Sequence, residues 1–216
     1  MDYGRMYAPA FARALILGAV AAPAWAGVLY DQTDSCTNTY ATSEHIATVP
    51  FYDSLIADDF SVPAGASWHI EQVLPQGGYF GGGLTAESFN VTFYADASGS
   101  PGAPIALCSF DAAPYSKVGN TFTITFPTGC LLEGGQQGTV YWVSVQAKLP
   151  PDPNTDWAFR ERSAQSGNAA HAEYPGGSDP NCVTWKVKQE CFSVPVAPDQ
   201  CFSISGNETI FRNGFE

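Results

Sequence analysis

The sequence predicts an all-β protein, an antiparallel two-sheet β-sandwich of jelly-roll-like or immunoglobulin-like type that is stabilised by disulfides. Apolar and polar residues alternate in several short segments, which is typical of strands with one buried face. Glycine- and proline-rich turns separate these segments, and no segment after residue 26 has a long apolar pattern of helical period. This pattern favours a sandwich or a barrel and, without crossover helices, excludes a parallel α/β fold.

The strands are predicted from the alternation itself. It is clearest at residues 89–95 and 121–126, and it recurs at 139–147, 183–188 and 202–205. From these segments and the spacing of the turns we expect eight to ten strands in two sheets.

The N-terminus has the layout of a secretory signal peptide. Arg5 and Arg13 supply positive charge, residues 14–22 form an apolar run, and Ala24-Trp25-Ala26 is a small-residue cleavage box. The apolar run is too short to span a bilayer, and no later segment comes close. We therefore expect residues 1–26 to be removed and the mature chain to be secreted or displayed at the cell surface.

The mature chain is long enough for one domain with a proper core. We place the β-sandwich domain at residues 27–206 and a C-terminal tail at 207–216. The whole chain carries a net charge of −12. Such a charge argues against nucleic acid and anionic membrane surfaces as partners, because both would repel it. The oligomeric state is left open.

All six cysteines follow the predicted cleavage site, which in an exported chain indicates three disulfides. Six cysteines allow fifteen pairings, so the sequence does not fix the connectivity. Local geometry favours Cys182 with Cys191 across a short hairpin, Cys108 with Cys130 between neighbouring strands, and hence Cys36 with Cys201. Zinc ligation by these cysteines is not expected, because no close pair such as C-x-x-C is present.

A set of ordered motifs resembles a poorly characterised group of bacterial exported β-sandwich modules. The motifs are DDFSVPAG at 58–65, WHI at 68–70, FYAD at 93–96, GSPG at 99–102 and YWVSV at 141–145. The resemblance implies the fold class and an extracellular location, and it brings no catalytic residues. The C-terminal Gly-Phe-Glu is similar to tails of other exported bacterial proteins, which implies a sorting or surface-retention role.

Aromatic residues are the best candidates for ligand binding. Carbohydrate-binding sandwiches stack sugar rings on exposed aromatic faces. The most site-like cluster is Trp157 beside Arg160 and Arg162, near the Gly-rich loop that contains Tyr174. Tyr94 is added because it lies opposite the apolar face of its strand. Against this interpretation, tryptophan in a small sandwich often belongs to the core.

No catalytic motif is present, and we assign no catalytic residue. A G-x-S-x-G elbow and an H-E-x-x-H zinc motif are absent, and the three histidines are far apart in sequence. An acid/base site would require Asp152, Asp156, Glu161 and a histidine to converge in one cleft.

We assign no metal or other cofactor. Calcium stays open at Asp96 with the following turn, or at Asp152, Asn154 and Asp156. The same aspartates equally fit the capping of turns.

The sequence therefore predicts an exported, non-catalytic binding module for carbohydrate or another extracellular polymer. Two alternatives stay open, a secreted hydrolase or lyase with an acidic site and a purely structural surface protein.

Overall fold

The computed structural model describes residues 26–151, 154–192 and 195–210, and it confirms an all-β, sandwich-like architecture. Except for Ala26, the predicted signal peptide lies outside the described residues. Residues 211–216 of the predicted tail also lie outside them.

The described residues form sixteen strands, one 3₁₀ turn at Pro50–Tyr52 and one short helix, α1, at Lys188–Cys191. The strands are β1 Gly27–Asp31, β2 Cys36–Thr42, β3 Glu44–Ile46, β4 Leu55–Val62, β5 Ala66–Pro75, β6 Gly77–Gly81, β7 Ser88–Asp96, β8 Pro101–Ala113, β9 Tyr115–Val118, β10 Thr121–Glu133, β11 Thr139–Leu149, β12 Thr155–Arg162, β13 His171–Glu173, β14 Lys186–Val187, β15 Asp199–Gln200 and β16 Phe202–Ile210.

These strands form three sheets, not the two that we expected. A five-stranded sheet has the order β1-β16-β5-β10-β9. A seven-stranded sheet has the order β14-β13-β4-β11-β7-β8, with β3 added to β11. A four-stranded sheet is built around β12, which pairs with β2, β6 and β15. The β3–β11 ladder is parallel, whereas the other described ladders are antiparallel.

The two larger sheets face each other across an aromatic core. Phe60 of β4 stacks on Trp68 of β5 with ring centroids 6.2 Å apart, and Phe93 of β7 meets Phe126 of β10 edge-on at 6.0 Å. All four side chains are buried. Burial of such large apolar side chains is the main force that holds two sheets face to face.

The four-stranded sheet covers this core at a place where rings from both larger sheets meet. Trp157 of β12 packs edge-on against Phe89 at 5.0 Å and Phe122 at 5.7 Å, and the nearby Phe159 packs against Phe202 at 6.4 Å. Trp157 and Phe159 thus define the face of β12 that points into the core. A period-two pattern shows which residues of a strand are buried but not which sheet the strand joins, so the third sheet was not predicted.

Three disulfides cross-link the fold in the pairing that local geometry favoured: Cys36–Cys201, Cys108–Cys130 and Cys182–Cys191. Cys108 lies on β8 and Cys130 on β10, so this bond joins the two facing sheets. Disulfides are typical of an oxidising compartment.

Two segments differ from the strand prediction. In the region 183–188, only Lys186–Val187 is a strand, and it leads into α1. The Cys182–Cys191 disulfide, whose Cα atoms lie 5.8 Å apart, turns the chain back within a few residues, and the strand between the two cysteines is only two residues long, paired with β13. In contrast, β16 continues to Ile210, past the predicted start of the tail, because it pairs with β5 along its whole length.

Candidate functional site

The outward face of the four-stranded sheet carries the candidate site. Strand β12 lies in the middle, between β2 on one side and β6 on the other. Because side chains alternate along a strand, the inward direction of Trp157 and Phe159 places Asp156 and Ala158 on the opposite face. Ala158 pairs with Thr42 of β2 and with Gly78 of β6, so a row of small side chains crosses this face.

Two aromatic rings reach toward each other across β12. Tyr40 of β2 and Phe80 of β6 meet edge to face, with ring centroids 5.1 Å apart and an interplanar angle of 68°. A Cβ atom added to Gly78 would lie 3.7 Å from both rings, so both rings pack over this glycine. The Phe80 side chain stays 44% exposed, and its ring is therefore available to a ligand from solvent.

The rings border a depression that we call the aromatic groove. It consists of two neighbouring cavities of about 320 and 350 Å³ that share Thr42 and Asp156. The first is lined by Tyr40, Thr42, Phe80, Asp156 and Ala158, and the second by Thr42, Glu44, Ile46, Tyr52, Asp156, Tyr174 and Ser178. Concave sites of this size that combine aromatic and convergent polar groups are typical of small-ligand binding.

Two further tyrosines line the second cavity. Tyr52 is 52% exposed and packs edge-on against Phe51, with ring centroids 5.1 Å apart. Tyr174 is partly buried, and burial raises the pKa of its hydroxyl, while a hydrogen bond with the Thr42 side chain opposes the rise. Both tyrosines therefore present an aromatic body together with a polar tip.

A pair of carboxyl groups lies at the junction of the two cavities. Burial raises the pKa of Glu44 to about 7; the Trp157 main-chain N–H opposes this by donating to Glu44 Oε2 at 2.8 Å, and the neighbouring Asp156 carboxyl adds to the rise through its charge and hydrogen bonding. Burial thus favours the protonated form of Glu44, and a protonated carboxyl group can both donate and accept hydrogen bonds.

The groove has a negative electrostatic character. Among the described residues that line it, Glu44 and Asp156 carry carboxyl groups, and none is a lysine or an arginine. An acidic polymer would meet like charge here without a compensating cation, so the geometry favours an uncharged ligand rich in hydroxyl groups.

Of the five predicted ligand-binding residues, Tyr174 lines the groove. Trp157 is on the same strand as Asp156 but is fully buried in the aromatic core, so its ring does not meet solvent. Tyr94 was expected to be exposed, yet it is 7% exposed: its hydroxyl lies 3.1 Å from the Ser144 hydroxyl, and its ring is covered by Trp185 at 5.6 Å.

The two predicted arginines bind the protein's own groups. The guanidinium of Arg160 donates to Gln76 Oε1 at 2.9 Å and to the Thr37 carbonyl at 2.5 Å. Arg162 forms ion pairs with Asp34 at 2.8 Å and Asp199 at 3.4 Å, and its side chain is 8% exposed. Neither residue lines the aromatic groove.

The acidic residues considered for catalysis separate in space. Asp156 lies in the groove, whereas Glu161 is fully buried against Lys188, and Asp152 lies outside the described residues. His45 Nδ1 lies 2.8 Å from Asp53, and His171 packs against Trp142 at 4.8 Å. No histidine lines the groove as described.

Of the two open calcium positions, the one at Asp96 has a structural use, whereas the other includes Asp152, which lies outside the described residues. Asp96 Oδ1 accepts hydrogen bonds from the Gly99 main-chain N–H at 3.1 Å and from Trp142 Nε1 at 2.9 Å, which is the behaviour of a turn cap. Within the described residues, no group of three or more histidine, cysteine, aspartate or glutamate side chains is arranged to hold a metal ion.

Tyr40, Glu44 and Phe80 line the groove but were not among the residues predicted from the sequence. One signal was available in the segment 156–159. The large apolar rings of Trp157 and Phe159 lie on one face of the strand, and the alternation predicts that this face points toward the core. Candidate site residues were therefore the exposed residues of the strands next to β12 that lie on the same face as Asp156. Which strands are neighbours of β12 was not available from the sequence.

Comparison with known proteins finds no matching family model, no significantly similar curated protein and no significantly similar solved structure. Among the described residues, no helix has the length and apolar composition needed to cross a membrane.

Proposed function

We propose that this protein is an exported, non-catalytic module that binds a neutral extracellular carbohydrate in the aromatic groove. One observation carries the proposal: the exposed Phe80 ring, held by Tyr40, lies beside the Glu44–Asp156 carboxyl pair in one concave surface. The C–H face of a sugar ring matches the negative face of an aromatic ring, and its hydroxyl groups match carboxyl oxygens.

The arrangement of the carboxyl groups supports binding more than hydrolysis. Glycoside hydrolases place two carboxyl groups on opposite sides of the scissile bond, about 5–5.5 Å apart in retaining enzymes and more in inverting ones. Glu44 and Asp156 instead line the same cavity as neighbours, and the Asp156 carboxyl contributes to the raised pKa of Glu44. Two neighbouring carboxyl groups on one side of a cavity are suited to hydrogen bonding with one or two ligand hydroxyl groups.

An extracellular location fits the same proposal. Three disulfides persist most readily in an oxidising compartment, and the N-terminal residues have the composition of a cleaved export signal. The retained Gly-Phe-Glu tail is a candidate sorting segment, as its resemblance to other exported tails implies. Extracellular polysaccharide is the kind of ligand that such a protein meets.

A binding experiment tests the proposal. The secreted protein is applied to an array of neutral and acidic glycans, and each hit is measured by titration calorimetry. We expect binding to neutral glycans, loss of that binding in Phe80→Ala, and unchanged binding in Val118→Ala. Val118 is 83% exposed at the β9–β10 hairpin and does not line the groove, so it controls for removal of a surface apolar side chain.

Two outcomes contradict the proposal. Absence of binding to every glycan would favour a purely structural surface protein. Release of reducing sugar from a bound glycan would favour the hydrolase alternative, and Asp156→Asn would then abolish that release.

A further inference from the structure

Three polar side chains meet in the interior behind the four-stranded sheet. Glu161 of β12 and Gln200 of β15 are directly paired in an antiparallel ladder, and Lys188 is the first residue of α1. All three are fully buried. Lysine and glutamate are almost never fully buried without a specific partner, so this cluster requires an explanation.

The amine of Lys188 lies between the other two side chains. Its Nζ atom is 2.8 Å from Glu161 Oε1. The Gln200 amide is satisfied when its oxygen accepts from Lys188 Nζ at 2.5 Å and its nitrogen donates to the Arg160 carbonyl at 3.1 Å. The amine is therefore held next to an amide carbonyl, with a carboxyl group on its other side.

Burial opposes the charged form of Lys188, although its amine also donates to the Asp199 carbonyl at 3.4 Å. Nζ approaches Glu161 Oε1 without hydrogen-bond geometry, and Oε2 has no hydrogen-bond partner among the described residues. Burial lowers the pKa of Lys188, although the carboxylates of Glu161, Asp58 and Asp199 oppose the change. Burial thus favours the uncharged amine of Lys188, which is the form that can act as a nucleophile.

We propose that Lys188 and Gln200 form an intramolecular isopeptide bond, with Glu161 as the group that carries the proton. The reactants are a primary amine and a primary amide, and the product is a secondary amide that joins α1 to β15.

The reaction needs no cofactor or oxidant. After Glu161 takes a proton, the uncharged Nζ of Lys188 adds to Cδ of Gln200, and a C–N bond forms. The bond between Cδ and Nε2 of Gln200 breaks, and Nε2 leaves as ammonia with the proton returned by Glu161. The second proton that Nζ loses on becoming an amide nitrogen passes to the Glu161 carboxylate, which ends protonated. The fixed proximity of Lys188 and Gln200 takes the place of an external catalyst. Well-oriented groups within one molecule react as if they were present at an effective concentration of about 10⁵ M or more.

The bond would complete the cross-linking of this region. Gln200 precedes Cys201 of the Cys36–Cys201 disulfide, and α1 ends at Cys191 of the Cys182–Cys191 disulfide. A Lys188–Gln200 bond joins these two disulfide-linked segments covalently. It also replaces a buried ion pair with a neutral amide, which removes the desolvation cost of the charges.

Mass spectrometry of the secreted, folded protein tests the proposal. With the N-terminus determined independently and the disulfides reduced, we expect the intact mass to be lower than the sequence mass by one ammonia. Trypsin should not cleave after Lys188, and the peptides that contain Lys188 and Gln200 should be recovered as one linked species.

Variants identify the groups. Lys188→Met and Glu161→Gln should restore the full sequence mass, and Gln200→Glu should change the loss from ammonia to water. A full-length mass without loss in the folded wild-type protein overturns the proposal. A wild-type loss of water overturns the assignment to Gln200, because it places the bond at a carboxyl group. The wild-type spectra decide these points even where a variant does not fold.

Discussion

Tyr40 and Phe80 belong to different strands and meet across a third, with their ring centroids 5.1 Å apart above Ala158 and Gly78. Each ring packs edge to face against the other and so gives it lateral support. The pair converts the middle of a small sheet into one continuous apolar surface beside Glu44 and Asp156.

The mutual support of the two rings predicts non-additive effects on binding. Tyr40→Ala and Phe80→Ala should each lower glycan affinity by about tenfold or more, which corresponds to ~1.4 kcal/mol. The double variant should lose less than the product of the two factors, because loss of one ring already disorders the other. Titration calorimetry of the four proteins measures this coupling, and strictly multiplicative losses would show that the rings act independently.

The raised pKa of Glu44 predicts a specific dependence of stability on pH. Its pKa is about 7 in the folded protein against an ordinary value of 4.5, so the folded state holds the proton between these pH values. The contribution of this group to stability is therefore fully present below pH 4.5 and is lost as the pH rises through 7.

Glu44→Gln stays uncharged at every pH, so it should become more stable relative to the wild type as the pH is raised from 5 to 8. Urea unfolding at several pH values measures this difference. Glu133→Gln, at an exposed position, should show a nearly constant difference from the wild type. Parallel curves for Glu44→Gln and the wild type would contradict the raised pKa.

The buried position of Trp157 predicts a structural role and not a ligand contact. Trp157→Ala should lower the free energy of unfolding by about 3–5 kcal/mol, because it opens a cavity among Phe89, Phe122 and Phe159. Trp157→Phe should cost less, since among the described residues the indole Nε1 is buried without a hydrogen-bond partner. Chemical denaturation gives both values. If the folded Trp157→Phe protein lost glycan binding, the ring would have a role that its burial does not explain.

The spacing of the cysteines predicts unequal contributions of the disulfides. Cys36 and Cys201 are 165 residues apart, and Cys182 and Cys191 are 9 apart. The chain-entropy model gives about 5 kcal/mol for the long loop and ~2.5 kcal/mol for the short one. Replacing each pair by serines and measuring unfolding should therefore show the larger loss for Cys36–Cys201. A larger loss at Cys182–Cys191 would indicate that local packing, not loop closure, dominates.

Alternation in the sequence located several of the strands but little of the site. It found the strands around Phe89 and Phe122. It misplaced Tyr94, which lies opposite the apolar face of its strand but is covered by Trp185 from a distant loop. Alternation shows on which face of a strand a side chain lies. It does not show whether residues from a distant part of the chain cover that face.

The sequence by itself determined the all-β class, because a period of two and frequent turn residues are local properties of the chain. It also favoured the disulfide pairing, since two pairs favoured by local geometry, Cys182 with Cys191 and Cys108 with Cys130, leave Cys36 to pair with Cys201. Only the tertiary structure decided that β2 and β6 lie on either side of β12. That neighbourhood brings Tyr40, Phe80, Glu44 and Asp156 into one groove, and it depends on pairing between strands far apart in the chain, which local periodicity does not specify.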